Sequence, residues 1–203
     1  MNEFEKEMIN YLGKENFNKV QTVKVGIAGA GGLGSNCAMN LARTGFKKIK
    51  IIDFDDVECK NLNRQFFFFD QIGKKKVKML KETLERINPD IEIETSDTKL
   101  EESNIVEAFE DCDIVVEAFD KAEYKSLIVK ELAPIKKLVV SASGLAGYGK
   151  SDDIIMRKLK DNLVMIGDLK SEATEDLPPL SPRVNIAAAK QADAVLEFVL
   201  DKY

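Results

Sequence analysis

The chain has 203 residues, 44% hydrophobic and 32% charged, which is enough for one well-buried domain and too little for two independent ones. A net charge of −5 gives no general attraction to nucleic acid or to an anionic membrane, and the absence of histidine excludes an imidazole base or ligand. Cys37, Cys59 and Cys112 form no C-x-x-C pair, which argues against a disulfide framework or a zinc site; with no long apolar run and no basic, apolar leader in "MNEFEKEMIN", the chain reads as cytoplasmic.

The elements alternate. A short N-terminal helix carries Phe4, Met8, Ile9 and Leu12 on one side, within a helical segment over 1–22. "VKVGIAG" reads as a buried strand, "GLGSNCAMNLARTG" as the helix it feeds, and "KKIKIID" as the next strand. An irregular segment, "DDVECKNLNRQFFFF", leads to a helix from about Lys74 to Asn88 with Val77, Leu80, Leu84 and Ile87 on one stripe; "NPD" stops it. "IEIET", a helix near Ile105 to Phe109, "DIVVEAF", a helix to about Leu132 and "KLVVSAS" continue the alternation. "MRKLK" and "NLVMIGD" read as short late strands, and "RVNIAAAKQADAVLEFVL" as a long final helix. This order predicts a Rossmann-like α/β fold: a mostly parallel sheet with helices on both faces, a core over 23–148, and C-terminal strands and helix over 149–203.

Gly29, Gly31 and Gly34 satisfy G-x-G-x-x-G between a strand and a helix, with Gly32 inside the same turn. Glycines there let backbone N–H groups approach a phosphate at the positive end of the helix. The motif suits a dinucleotide or ATP, and a tight turn without a ligand would look the same. Asp53, at the end of the second strand, stands where a carboxylate accepts from ribose hydroxyls; it fits either nucleotide.

The next segment separates the two. Hydride transfer develops no charge on a pyrophosphate, whereas nucleotidyl transfer needs cations converging on the phosphates. Arg64 follows the polar run and Lys76 opens a helix behind Gly73, so both are placed to reach the same strand ends. Lys74, Lys75 and Lys78 read as solvated surface.

In order, "GAGGLGS", "DFDDVECKNLNRQ", "IGKKK", "NPD" and "EAFD" resemble the ThiF/MoeB family of adenylyltransferases, which are related to the ubiquitin-activating enzymes. The resemblance is strong from Gly26 to Asp120 and weaker through "SASGLAGYG" and "SPRVNIAAAKQAD". It implies ATP and Mg2+ as cofactors, with Asp53 on the ribose, Asp55 beside it, and Asn61, Arg64 and Gln65 along the phosphates. Lys76 matches the family's phosphate-neutralising lysine, and Asp120 its magnesium-binding aspartate. The implied reaction adenylates the C-terminal glycine of a small Gly-Gly-ended ubiquitin-like sulfur carrier. Shortness and missing zinc cysteines make the chain look most like the compact ThiF branch of thiamine biosynthesis, with a homodimer and a separate sulfur donor as expected partners.

The departures also matter. The family's two C-x-x-C pairs are missing, the first arginine is Arg43 rather than one in the N-terminal segment, and Lys125 stands where an arginine is usual after the aspartate. Lys14 and Lys19 are the candidate substitutes for the N-terminal arginine. No cysteine lies between Lys150 and Pro182. The chemistry still suits the chain: a terminal carboxylate is ionised at neutral pH, so its attack on the α-phosphorus needs no general base. An ATP-binding scaffold without turnover and a nicotinamide-dependent oxidoreductase are the competing readings. The run Phe66 to Phe69 reads as core and subunit contact or as a docking patch, and Cys59 as a spacer.

Overall fold

The computed structural model describes residues 1–202, the side chain of Ala122 excepted. Five parallel strands form the centre of the sheet: β1 (Lys24–Ala28), β2 (Lys48–Ile52), β3 (Glu92–Ser96), β4 (Ile114–Glu117) and β5 (Leu138–Ala142). β6 (Ile155–Lys160) and β7 (Leu163–Gly167) complete a seven-stranded sheet of order β3-β2-β1-β4-β5-β7-β6. β7 pairs parallel with β5, and β6 runs antiparallel along the edge. The parallel α/β class and the mixed C-terminal strands match the expectation from the alternating pattern.

The strands are apolar on both faces because helices cover both. On one face, Val25 and Ile27 of β1, Ile49 and Ile51 of β2 and Val140 of β5 share a core with α3 (Gly32–Arg43), α4 (Lys76–Glu85) and α7 (Ser181–Lys202). On the other, Ala28, Ile52, Val115 and Val139 pack against α5 (Ile105–Ala108) and α6 (Ala122–Leu132). Burying such side chains on both faces is worth about 1.5–3 kcal/mol for each large aliphatic one. α7 lies along α3, β5 and β7, so it closes the first core.

The N-terminal segment holds two helices, α1 (Glu3–Leu12) and α2 (Lys14–Thr22), rather than one short one. Gly13, at φ +76°, turns the chain between them. α4 is shorter than its apolar stripe suggests: Lys75 forms an isolated bridge with Asp56 before the helix starts. No helix of the described residues is long and apolar enough to cross a membrane.

Candidate functional site

The chain runs outward from β1 through β2 to β3 and then crosses over to β4 on the other side of β1, so the carboxyl ends of β1 and β4 open into a crevice. The glycine turn lies at its floor. Gly29 has φ +102°, and a Cβ on Gly34 would lie 1.8 Å from the Gly29 carbonyl oxygen. Only glycine lets α3 start so close to the strand end; its first N–H groups, which have no intrahelical partner, then face the crevice.

The crevice is a cleft of about 750 Å³. Gly29, Gly31, Gly32, Asp53, Asp55, Arg64, Gln65, Lys76 and Asp120 all line it. Gly34 does not; its part is the close packing just described. Asn61 does not line it either: it is buried, and its Oδ1 accepts the Glu58 N–H at 2.9 Å. Asn61 thus braces the turn that carries Arg64 and Gln65, because a buried amide takes a nearby unpaired backbone donor.

Asp53, at the exit of β2, accepts the Ala30 N–H at 2.6 Å and the Asp55 N–H at 2.8 Å. Burial pushes its carboxyl above the ordinary value, and the Lys76 ammonium and those two amides pull part of the shift back. Lys76 is 5% exposed, and its Nζ lies 2.7 Å from Asp55 Oδ2. Arg64 is half-buried; its Nη1 donates to Asn63 Oδ1 at 2.8 Å and to the Lys60 carbonyl at 3.3 Å. Gln65 is buried with its Oε1 unpartnered. Asp120 is exposed at the cleft, with no hydrogen bond or ion pair to any described residue.

That free carboxylate is what magnesium uses, since the ion keeps several waters and takes one or two carboxylates plus substrate phosphates. No group of three or more candidate ligands exists among the described residues, so the residues present fit an ion shared with a nucleotide rather than one held by protein alone. Asp120 would hold it.

Three contacts escaped the sequence reading. Glu117, the last residue of β4, is fully buried and bonded to Ser141 Oγ at 2.6 Å and to the Phe119 N–H at 2.7 Å. Lys125 stands 3.4 Å from both of its oxygens. A charged residue inside the apolar run "DIVVEAF" was the available signal, because buried charges are paired. The third is a buried pair, Arg183 Nη2 on Asp168 Oδ2 at 2.6 Å, with Arg183 Nη1 on the carbonyls of Gly149 at 2.7 Å and Lys150 at 3.0 Å. It anchors the segment 168–180, whose Ser171, Glu172, Ala173 and Pro179 roof the cleft. Asp168 Oδ1 also accepts from the N–H groups of Lys170 and Ser171.

Of the candidate N-terminal cations, Lys19 is engaged with the Leu200 carbonyl at 3.0 Å, and Lys14 is exposed. In the phenylalanine run, Phe67 is buried and Phe66 half-buried, while Phe69 is 77% exposed. Cys59 is exposed; Cys37 and Cys112 are buried.

A mostly parallel sheet whose switch point carries a glycine turn, with Asp53 at the neighbouring strand end, defines the chain as a Rossmann-like α/β protein. The chain belongs to the ThiF family, whose model matches residues 5–200. It is 36% identical over 150 residues to SUMO-activating enzyme subunit 2 of Dictyostelium discoideum, covering 73% of this chain and 22% of that protein. To the molybdopterin-synthase adenylyltransferase of Haemophilus influenzae it is 32% identical over 143 residues, 70% of this chain and 58% of that one. The chain thus spans less than two thirds of the curated relatives it matches. Its fold is that of E. coli tRNA N6-threonylcarbamoyladenosine dehydratase, TcdA, solved in complex with AMP: TM-score 0.87 at 20% identity, over 97% of this chain and 94% of that one. E. coli MccB, solved with ATP, matches with a TM-score of 0.71 at 24% identity, over 91% and 58%.

Proposed function

We propose that this chain is an adenylyltransferase that activates the C-terminal carboxylate of a ubiquitin-like protein with ATP. The observation that carries the reading is the convergence of Asp53, Arg64, Lys76 and Asp120 on one cleft above the glycine turn. Membership of the ThiF family and the adenylyltransferase and activating-enzyme names of the relatives support it. So do the AMP and ATP with which the two similar structures were solved.

In this reading Asp53 accepts from the ribose hydroxyls, and the α3 N–H groups hold the phosphates. The carrier's terminal carboxylate attacks the α-phosphorus, an O–P bond forms, and the bond to the β-phosphate breaks to release pyrophosphate. Two anions must meet and the leaving group gains charge, so the barrier is electrostatic. Arg64 and Lys76 offset that charge from one wall. Lys76 must leave Asp55 to do so, which keeps the ammonium paired until a phosphate arrives. Magnesium, when bound, neutralises phosphate oxygens and orients the leaving group. Asp120 would hold it.

We carry forward the narrower proposal of a Gly-Gly-ended sulfur carrier of the kind used in thiazole synthesis, a separate sulfur donor, a homodimer and a cytoplasmic setting. Its support is the resemblance to compact ThiF members and the lack of C-x-x-C pairs. The test is exchange of labelled pyrophosphate into ATP with each candidate carrier, with and without magnesium. Exchange that needs both a Gly-Gly carrier and magnesium is the expected result. Tight NADH binding with no carrier-dependent exchange would overturn the reading.

A further inference from the structure

We propose that Glu117 is a positioning residue: its buried carboxylate sets the turn that presents Asp120 to the cation. The inference rests on the adenylation reading and deepens it. Glu117 ends β4, three residues before Asp120, and its side chain is fully buried. A carboxylate removed from water costs several kcal/mol unless its oxygens are satisfied, so such a group persists only where the surrounding donors hold it.

The donors here come from three elements. Oε1 accepts the Phe119 N–H at 2.7 Å, which bends the chain just past β4 back on itself. Oε2 accepts the Ser141 hydroxyl of β5 at 2.6 Å. The Lys125 ammonium of α6 lies 3.4 Å from each oxygen and donates to the Ala142 carbonyl at 2.8 Å. The backbone of Glu117 is fixed as well, because Gln191 Nε2 of α7 donates to its carbonyl at 2.9 Å.

The consequence is geometric. The 118–120 turn is tied to β5 and to α6 through one carboxylate, so Asp120 projects into the cleft from a clamped backbone while its own side chain stays free. Lys125 is part of the clamp. Its ammonium is committed to Glu117 and Ala142, and its contribution to the cleft is through Asp120 rather than through the phosphates.

The test is a double-mutant cycle on metal affinity, read by electron paramagnetic resonance of Mn2+ titrated into the protein with a non-hydrolysable ATP analogue. Glu117→Gln, which cannot accept from all three donors, is expected to weaken Mn2+ about tenfold, the loss usual when a partner of a metal ligand is removed. Nucleotide binding without metal is expected to stay within twofold. In the Asp120→Asn background Glu117→Gln is expected to add nothing, because its effect runs through Asp120. A loss of the same size in both backgrounds, or no loss in either, overturns the proposal. If Asp120→Asn itself leaves Mn2+ affinity unchanged, the assignment of Asp120 falls and the proposal with it. Should Glu117→Gln fail to fold, Ser141→Ala decides: it removes one donor to Oε2 and is expected to weaken Mn2+ about threefold, and an unchanged affinity refutes the clamp.

Discussion

The Lys76 ammonium sits 2.7 Å from the Asp55 carboxylate and within the field of Asp53, so on the proposed reading a phosphate would compete with Asp55 for it. Binding a triphosphate at this wall is then an exchange of one anion for another. Lys76→Ala and Asp120→Asn are each expected to lower carrier-dependent adenylation by about two to three decades, the size found when one electrostatic partner of a transition state is removed. Asp55→Asn is expected to cost less than about tenfold, since the ammonium keeps its reach. Single-turnover adenylation with folded protein checks all three.

Arg64→Lys is expected to impair adenylation markedly, because an ammonium does not reproduce a guanidinium fork on phosphate oxygens. Lys75→Ala, in contrast, is expected to leave the rate near that of the parent. Its Nζ is occupied outside the cleft, 2.9 Å from the Phe54 carbonyl and 3.2 Å from Asp56. Lys75→Ala as damaging as Lys76→Ala would mean that the helix presents a different face.

Arg183→Ala is expected to destabilise the fold by about 3–5 kcal/mol in urea unfolding, since it strands the Asp168 carboxylate within a largely buried site. The same substitution is expected to raise amide exchange across 168–180 more than in β1 or α3. Uniform protection in that segment would show that the pair does not hold the roof.

At the amino-terminal edge of the sheet, burial opposes ionisation of Asp111, but hydrogen bonds and charges from Lys24 and Lys50 outweigh it and hold its pKa below the ordinary carboxylate value. A depressed folded pKa contributes stability that is complete above the unfolded value, near 3.9, and is lost as pH falls below it. Asp111→Asn is therefore expected to flatten the loss of stability below about pH 4 while changing its slope little near pH 7. Equal acid slopes in the two proteins count against this account.

One thiol is expected to react quickly with an aromatic disulfide reagent. Cys59 is exposed, while burial raises the pKa of Cys37, and burial with the adjacent Asp111 charge pushes Cys112 up to about 12. Changing all three to serine is expected to leave carrier-dependent pyrophosphate release near the parent rate. A carrier adduct on Cys59 in intact-protein mass spectrometry would contradict that.

Most strands and helices were readable because each carries its own period: Val25 and Ile27 face one core, and Val115 and Val139 the other. The cleft residues Asp53, Arg64, Lys76 and Asp120 were readable as chemical types near strand ends. What local pattern does not carry is who meets whom. The side chain of Asn61 bonds a backbone group three residues away, a partner that its type alone does not name. Glu117 meets Ser141 and Lys125 only because β4 lies beside β5 and α6 packs over them, and Asp168 meets Arg183 across a 15-residue separation. The break at Gly13 was missed because a glycine after an apolar stripe marks an end without saying that another helix begins.

α7 follows every strand in the chain, yet it covers the face shared by β5, β7 and α3. During synthesis α3 and α4 can cover their part of that face, but the part under α7 has no cover until 181–202 are made. The strand ends of the cleft precede Asp168 in sequence, but its roof at Ser171, Glu172, Ala173 and Pro179 comes later, and Gln191, which secures the Glu117 carbonyl, lies within α7 itself. Burial of this part of the sheet therefore waits on an element made after all seven strands, and until then its apolar side chains are open to wrong partners.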